Sequence, residues 1–401
     1  MEPVQPVFTT EPLAGVRVLD LGVGGVGPWA GETLAQLGAS VLKIESPRGD
    51  FAHTQFPKYG GASTSYLGLN GGKTSAVLDL SGQDRAIFES LLHKADVLLY
   101  NFRAGVAERL GIDYESLKDR YPRLIVASAT GYGLGGPYSH MRCTDTHAQA
   151  ISGMASLNGY SDEQPFERFR WYGYIDCTTA LVLANAILAR LVIRQITGKG
   201  GYASTSMLAS ALHLQRTRLA ANLSGGERRS RWGSASPFSA TDDVFRTLDG
   251  YIAIHVREDE QVWAAFGRVF ANTPAQWLSE WATPKARMSY RREIKEFLAA
   301  EFARQPSAYW EWKLRRTGVA IERVERHRNV AQDLRFWRRG ALTSVTDRTP
   351  EKDALVVGSA PWLFNGLRPR VRPSPRRGEH TDEVLSGAWP GEHPSKGEDE
   401  T

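Results

Sequence analysis

From residue 16 onward the chain alternates short apolar runs with amphipathic stretches. "VRVLDL" (16–21), "SVLKIE" (40–45), "SAVLDL" (75–80), "DVLLYN" (96–101) and "RLIVASAT" (123–130) read as strands. Between them, "PWAGETLAQLG" (28–38), "GQDRAIFESLLHKA" (82–95) and "DYESLKDRYP" carry helical spacing. Such alternation predicts right-handed βαβ units, hence a parallel sheet with helices on both faces. The longest predicted helix spans 177–196, "CTTALVLANAILARLVIRQI", and is stopped by "TGKGG" as a helix C-terminus should be. Its apolar residues run nearly all round, which predicts deep burial.

The pattern changes near residue 223. "LSGGERRSRWGSASP" is rich in glycine and arginine, lacks periodicity and reads as a loop. "DDVFRTLDGYIAIHV" (242–256) follows as a hairpin with Asp249-Gly250 at its turn. Residues 258–317 are helical and rich in tryptophan, and "GVAIERV" (318–324) reads as a strand. The predicted organisation is a large α/β domain with a Rossmann-like parallel sheet over 1–222 and a smaller α+β domain over 223–325. A linker and C-terminal segment over 326–386 return to the large domain, and a tail over 387–401 is expected to be disordered.

At 401 residues the chain exceeds one ordinary core, in keeping with two domains. Its composition, 42% hydrophobic and 23% charged, is that of an ordinary globular protein. No apolar stretch is expected to approach the ~20 residues a membrane helix needs, and no secretory leader is visible. Two cysteines, Cys143 and Cys177, cannot build a disulfide framework, so a reducing, cytoplasmic setting is expected. The net charge of +5 would suit a phosphorylated small molecule, yet it lies within the range of unremarkable proteins.

Candidate chemistry begins with Gly22, Gly24 and Gly27, which form G-x-G-x-x-G between a strand and a helix, with Glu45 ending the next strand. This is the dinucleotide fingerprint, in which backbone amides at a helix N-terminus meet a phosphate. Pro28 follows as a favourable first helical residue. The same glycines also serve a purely structural tight turn or another nucleotide, and all three readings stand. "GLNGGKTS" (68–75) mimics a P-loop, but its glycines are one residue too close and a strand follows the lysine. Cys143, Asp145 and His147 alternate and would share a face on an extended chain as metal ligands, although a loop entering a helix explains them better. The motifs of zinc hydrolases and serine esterases are missing. "RPRVRPSPRR" (368–377) reads as a solvated basic strip rather than a nucleic-acid tail.

Asp176 stands out. It lies between the aromatic "RWYGYI" and the long apolar helix. It reads either as an ordinary helix N-cap or as an ionised nucleophile held at a helix N-terminus.

Seven ordered blocks then narrow the choice: "PLAGVRVLDLGVGGVGPWAGETLAQLGASVLKIESPRGD", "LGLNGGKTSAVLDL", "ADVLLYNFRAGVAERLGIDYESL", "PRLIVASATGYGLGGPY", "DTHAQAISGMASLNG", "ITGKGGYASTSML" and "RGEHTDEVL". Together, from about residue 12 to 386, they resemble the class III coenzyme A transferase family, which includes formyl-CoA and carnitine CoA transferases and the α-methylacyl-CoA racemases. The resemblance implies that the first domain carries CoA rather than NAD. It assigns to the CoA site Gly27, Pro28, Lys43, Arg48, Leu69, Lys73, Asn101, Phe102, Arg103 and Arg109, with Thr130, Gly131, Tyr132 and Gly133 of the loop that ends at Pro137. The family's catalytic aspartate falls on Asp176.

What the resemblance implies is a CoA-transferase that moves CoA from an acyl-CoA to a carboxylic acid through a covalent aspartyl intermediate, without a metal. The glycine-containing loop 223–229 becomes the candidate lid, and "FERFRWYGY" (166–174) a candidate wall for the acyl group. Interlocked homodimers are the family's habit, and no nucleic-acid or membrane partner is expected. The racemase branch is the alternative. Its second proton carrier, a histidine before the position of Asp145, is here Thr144, and His147 is displaced by three residues. A non-catalytic partner subunit of a heteromeric transferase is the other alternative.

Overall fold

The computed structural model describes residues 10–55, 57–59, 62–160, 172–224, 231–256, 259–345 and 355–391. The chain forms two compact units. The first takes in residues up to Met154, those from 172 to Ser224 and those from Asp333 onward; the second takes in residues 155–160 and 231–332.

In the first unit six strands form one parallel sheet: β1 (Arg17–Asp20), β2 (Ser40–Glu45), β3 (Thr74–Val77), β4 (Val97–Tyr100), β5 (Ile125–Thr130) and β6 (Gly201–Ser206). Their spatial order is β3-β2-β1-β4-β5-β6, with β1 flanked by β2 and β4. Both faces are covered, which is why these strands read as unbroken apolar runs. Val18, Val41, Val97, Leu99, Ile125 and Ala127 form one core with Ala30 and Leu34 of helix α1 (Val26–Gln36). Their alternate neighbours Leu19, Leu42, Leu98 and Val126 form the other core with Phe88, Leu91 and Leu92 of helix α2 (Arg85–Lys94). Strand β6 escapes the apolar pattern because "GYASTS" is built of small and hydroxyl residues; it is held by its pairing to β5 from Ile125↔Gly201 to Thr130↔Ser206. "DYESLKDRYP" yields only a short turn of helix, Tyr114–Leu117.

After helix α3 (Asp145–Ile151), helix α4 (Tyr174–Thr197) starts three residues earlier than predicted and ends at Gly198, which adopts φ 72°. Two expectations about it are corrected. By length and composition it is apolar enough to cross a membrane. It is also not buried all round. Ile175, Thr179, Leu183, Ile187 and Leu191 form a buried stripe at helical spacing, whereas Ile196 is 80% and Val192 60% exposed, with Leu181 and Ile193 also open. The buried stripe packs into the sheet core, and Arg194 is tied to Asp96 at 2.9 Å.

Strand β3 is a sheet edge, where unpaired amides invite unwanted pairing. The C-terminal segment covers it. The Val77 amide donates to Thr381 Oγ1 (3.0 Å), the His380 amide to the Ser75 carbonyl (2.8 Å) and the Gly72 amide to the Pro373 carbonyl (3.0 Å). The basic strip runs along the same surface, with Arg372 on Glu11 (2.9 Å) and Arg377 on the Pro47 carbonyl (2.7 Å).

The second unit contains the predicted hairpin, β7 (Asp243–Arg246) with β8 (Tyr251–His255), and β9 (Ala320–Arg323) pairs antiparallel on the far side of β8. Its core is aromatic. Trp263 and Trp277 stack with centroids 4.1 Å apart, and each indole N–H donates to the other residue's carbonyl. This reciprocal pairing satisfies both buried donors, which makes so large a burial favourable.

Candidate active site

In an open parallel sheet, ligands gather outside the carboxyl ends of the strands, where the strand order reverses. Here that point lies between β1 and β4. The glycine loop leaves β1, Asn101–Arg103 leave β4, Arg48 follows β2 and Gly131–Gly133 follow β5.

The glycine loop is a packed turn whose first three amides are already engaged. Gly22 and Gly27 touch backbone to backbone, since a Cβ on Gly27 would lie 2.6 Å from Gly22 Cα. Gly24 adopts φ 71° under the Phe51 ring. The Gly22 amide donates to Asp20 Oδ1 (2.7 Å), the Val23 amide to Asn101 Oδ1 (2.8 Å) and the Gly24 amide to Asp50 Oδ1 (2.9 Å). Two carboxylates therefore take up the Gly22 and Gly24 amides of the fingerprint and set negative charge beside the place where a dinucleotide's pyrophosphate would lie. Glu45, which that reading places on a ribose, is buried and accepts from the Asp50 amide and meets His53 Nε2, both at 2.9 Å. Burial raises its pKa, but the His53 bond, the Lys43 charge and the Asp50 amide outweigh this and hold the carboxyl below its ordinary range. The fingerprint is here a structural turn.

Several residues assigned to CoA are braces of that turn. Lys43 is buried, with Nζ on the Gly22 carbonyl (2.8 Å) and Asp50 (3.1 Å). Lys73, at the entry to β3, donates to Asp20 (2.7 Å), the Pro28 carbonyl (2.7 Å) and Asn70 (2.8 Å). Burial lowers its pKa, against the pull of the Asp20 charge, and burial raises the nearby Glu32 to about 7. Lys73→Met would leave Asp20 buried without its cation. It is expected to cost about 3–5 kcal/mol, read as a lower thermal unfolding midpoint.

Asn101 spans the turn through both ends of its amide, accepting from the Val23 amide and donating to the Val23 carbonyl (2.9 Å). Pro28 is the third helical residue rather than the first, still in the turn that needs no amide donor. Leu69 is half-buried, Phe102 stacks on Tyr100 at 5.5 Å, and Arg48, Arg103 and Arg109 are exposed. Of the cations assigned to the CoA site, these arginines are the ones that solvent, and so a ligand phosphate, can reach.

Asp176 lies in the first turn of α4, but the N-cap is Gly173, at φ 70° with no side-chain bond. The capping is supplied from another helix. Asp145 Oδ1 accepts from the Ile175 amide at 2.7 Å and the Asp176 amide at 3.3 Å, while Oδ2 accepts from Gln149. Asp145 thus takes up the orphan donors that Asp176 would otherwise cap. The Asp176 carboxylate is left free to face Gly25, whose absent side chain makes room: a Cβ there would fall 2.6 Å from Oδ2. No described residue donates a hydrogen bond to that carboxylate, and it is half-buried. Burial, with the Asp145 charge second, raises its pKa to about 6.

Cys143 completes the surroundings. It packs on Gly131, hydrogen-bonds Tyr132 and feels the charges of Asp176 and Asp145. Burial, then these charges, raise its thiol pKa, and burial and Asp176 do the same for Cys177, so neither cysteine is primed as a thiolate. Asp145 serves the helix instead of a metal; among the described residues no three metal-ligating groups gather. Thr130, at the end of β5, fixes the loop by accepting from the Gly133 amide at 3.0 Å. Most of the lid segment (225–229) and residues 166–171 of the proposed wall lie outside the described residues. Thr144 Oγ1 stands 2.8 Å from His147 Nδ1, so the displaced histidine is tied to the position the racemase comparison singles out.

Asp145 carries its own prediction. Asp145→Asn removes a charge that disfavours ionised Asp176, so the acidic limb of kcat/KM is expected to move below pH 6. Asp145→Ala also loses the amide acceptor and should destabilise the fold by about 1 kcal/mol. A pH–rate profile and a thermal melt separate the two effects.

The family model for CoA-transferase family III matches residues 13–381. The chain is 33% identical to the acetyl-CoA:oxalate CoA-transferase of Acetobacter aceti over 80% of its length and 82% of that protein's. It is 29% identical to the human succinyl-CoA:glutarate CoA-transferase over 96% of this chain and 87% of the other. The solved structure of a CAIB/BAIF family protein from Brucella suis superposes with a TM-score of 0.83 at 27% identity, covering 94% of this chain and 99% of that one. The chain belongs to CoA-transferase family III, whose model matches it over nearly its whole length, from residue 13 to 381.

Proposed function

We propose that this enzyme transfers CoA from an acyl-CoA to a short dicarboxylic acid with Asp176 as nucleophile. The observation that carries the reading is the free Asp176 carboxylate, relieved of capping by Asp145 and lodged against Gly25. The acceptor class follows relatives named for oxalate, glutarate and, in Haloarcula hispanica, mesaconate.

An Asp176 oxygen attacks the donor thioester carbonyl, the C–S bond breaks, and CoA leaves as thiolate. The resulting mixed anhydride is attacked by that thiolate at the Asp176 carbonyl, which releases the donor acid and leaves an aspartyl–CoA thioester. The acceptor carboxylate then displaces the thiolate to form a second anhydride. Attack by the thiolate on the acceptor carbonyl releases acceptor-CoA and restores the Asp176 carboxylate. The first step needs Asp176 ionised, which a pKa of about 6 satisfies at neutral pH; in the later steps its carboxyl is covalently bound until the last one restores it. Water must be excluded because both anhydrides hydrolyse readily. Arg48, Arg103 and Arg109 are the exposed cations for the CoA phosphates, while Lys43, Lys73 and Asn101 act through the turn they hold. The open apolar stripe of α4 supports a homodimer, since Ile196 and Val192 gain most from being covered, and the free Cys143 and Cys177 support a reducing, cytoplasmic setting.

The test is incubation with an acyl-CoA panel, quenching with hydroxylamine and peptide mapping by mass spectrometry. A hydroxamate on Asp176 that is absent from Asp176→Ala supports the reading; no adduct with any donor overturns it. The His147–Thr144 contact favours one second reading, proton transfer at the α-carbon. Deuterium uptake by a 2-methylacyl-CoA without an Asp176 adduct would establish it instead.

A further inference from the structure

We propose that the first unit holds a second small-molecule site, which takes a compact, uncharged aromatic or branched-aliphatic molecule bearing one hydrogen-bonding group. The site is a cavity of about 380 Å³ between α1, α4 and the hairpin of β10 (Leu342–Val345) and β11 (Leu355–Gly358). That volume lies within the range of small-ligand pockets, as does its make-up of apolar walls and few polar groups.

Its walls include Trp29 and Leu67, Leu181 of α4, Val357 of the hairpin, and Trp362. Both indoles are only partly buried against the sheet core, so aromatic surface is left facing the hollow. Asp176, Gly25 and Asn101 are not among its lining residues, although Cys177 is, so the cavity is separate from the reacting carboxylate while bordering the same helical turn.

The hydrogen-bonding group would meet Glu32. This side chain is 6% exposed, and among the described residues only the Gln36 amide, at 3.4 Å, and the Gly71 backbone engage it as hydrogen-bond donors. Burial, opposed by the Lys73 charge, raises this carboxyl to about 7, so both forms are present near neutral pH: the ionised form repels an anionic ligand, and the neutral acid donates to a hydroxyl or carbonyl oxygen. Arg372, the cation on the wall, is engaged by Glu11, which leaves an anion no free counter-charge there. Shape and charge together select a neutral head on an apolar body.

The test uses three probes of one shape: benzyl alcohol, benzylamine and benzoate, added to the full-length protein without CoA and read by saturation-transfer NMR and calorimetry. Benzyl alcohol is expected to bind in the millimolar range, with benzoate at least about tenfold weaker. Val357→Trp should fill the cavity and abolish the benzyl alcohol signal at an unchanged thermal midpoint. Leu181→Trp, at a half-open position, serves if the first variant folds poorly. Glu32→Gln should remove the discrimination against benzoate. Equal binding of benzyl alcohol and benzoate, binding undiminished in both tryptophan variants, or no benzyl alcohol signal at millimolar concentration would each overturn the proposal. None of these readouts requires turnover, so their failure is distinguishable from failure of the CoA-transfer reading.

Discussion

Asp176→Asn is expected to lose CoA transfer by at least about three orders of magnitude while the protein folds as well as before or better. The amide is isosteric, so α4, its Asp145 cap and the glycine turn have no reason to move. What disappears is the anionic oxygen that opens the thioester in the proposed mechanism. Stability should move the other way. The folded pKa of Asp176, about 6, is raised above the ordinary aspartate value of 3.8, chiefly by burial. A group shifted in that direction favours the fold fully only below its unfolded pKa, and the contribution is lost as pH rises through the folded value. Near pH 7 the ionised carboxylate therefore opposes folding, and the neutral amide should relieve this by on the order of 1–2 kcal/mol. Below about pH 4 wild type and variant should melt alike. The same ionisation predicts that wild-type kcat/KM climbs through about pH 6 and is flat above it. Rates measured beside thermal melts at pH 4 and pH 7.5 check both halves. A variant that loses activity because it unfolds would contradict this account.

Gly25→Ala should cost about 100-fold in transfer with little loss of fold. Gly25 is the N-cap of α1 at φ −96°, a conformation alanine adopts freely, so no backbone strain follows. The added methyl would instead sit 2.6 Å from Asp176 Oδ2 and 2.9 Å from its carboxyl carbon, well inside van der Waals contact. One side must yield, and the carboxylate is the part without hydrogen bonds to hold it. A displacement of that size takes the nucleophile out of line with the thioester. The loss should appear in kcat more than in KM, because the exposed arginines that would meet CoA are untouched. Gly27→Ala is the contrasting control. Its methyl would strike Gly22 Cα at 2.6 Å and Asn101 Oδ1 at 2.8 Å, so it should lower the melting temperature as well as the rate.

The contrast between these glycines shows how far a sequence can be read. "VRVLDL", "SVLKIE" and "DVLLYN" became β1, β2 and β4 because strands buried on both faces must be apolar throughout, a property carried by the residues themselves. Strand β6 was invisible for the converse reason: "GYASTS" has no apolar signature and is a strand only because β5 offers it a ladder. The length of α4 was legible from its composition, but its burial was not. Which of its apolar residues face the sheet depends on where the sheet lies, and the sequence marks Ile187 and Ile196 alike.

The site divides along the same line. That Asp176 stands at the head of a helix, and that three glycines separate a strand from a helix, follows from local sequence, because turns and helix starts are local events. The family could be recognised from ordered blocks spread over the chain. Only the tertiary structure brings Asp145, 31 residues away, to cap the helix in place of Asp176. It alone fills the glycine loop's amides with Asp20 and Asp50, and sets Gly25 against the carboxylate. Such contacts join residues remote in the chain through distances of a few ångströms, and no local pattern records them. The sequence by itself thus determined the layered fold and the family, and singled out Asp176 as the candidate nucleophile. The packing decided why its carboxylate is free of capping.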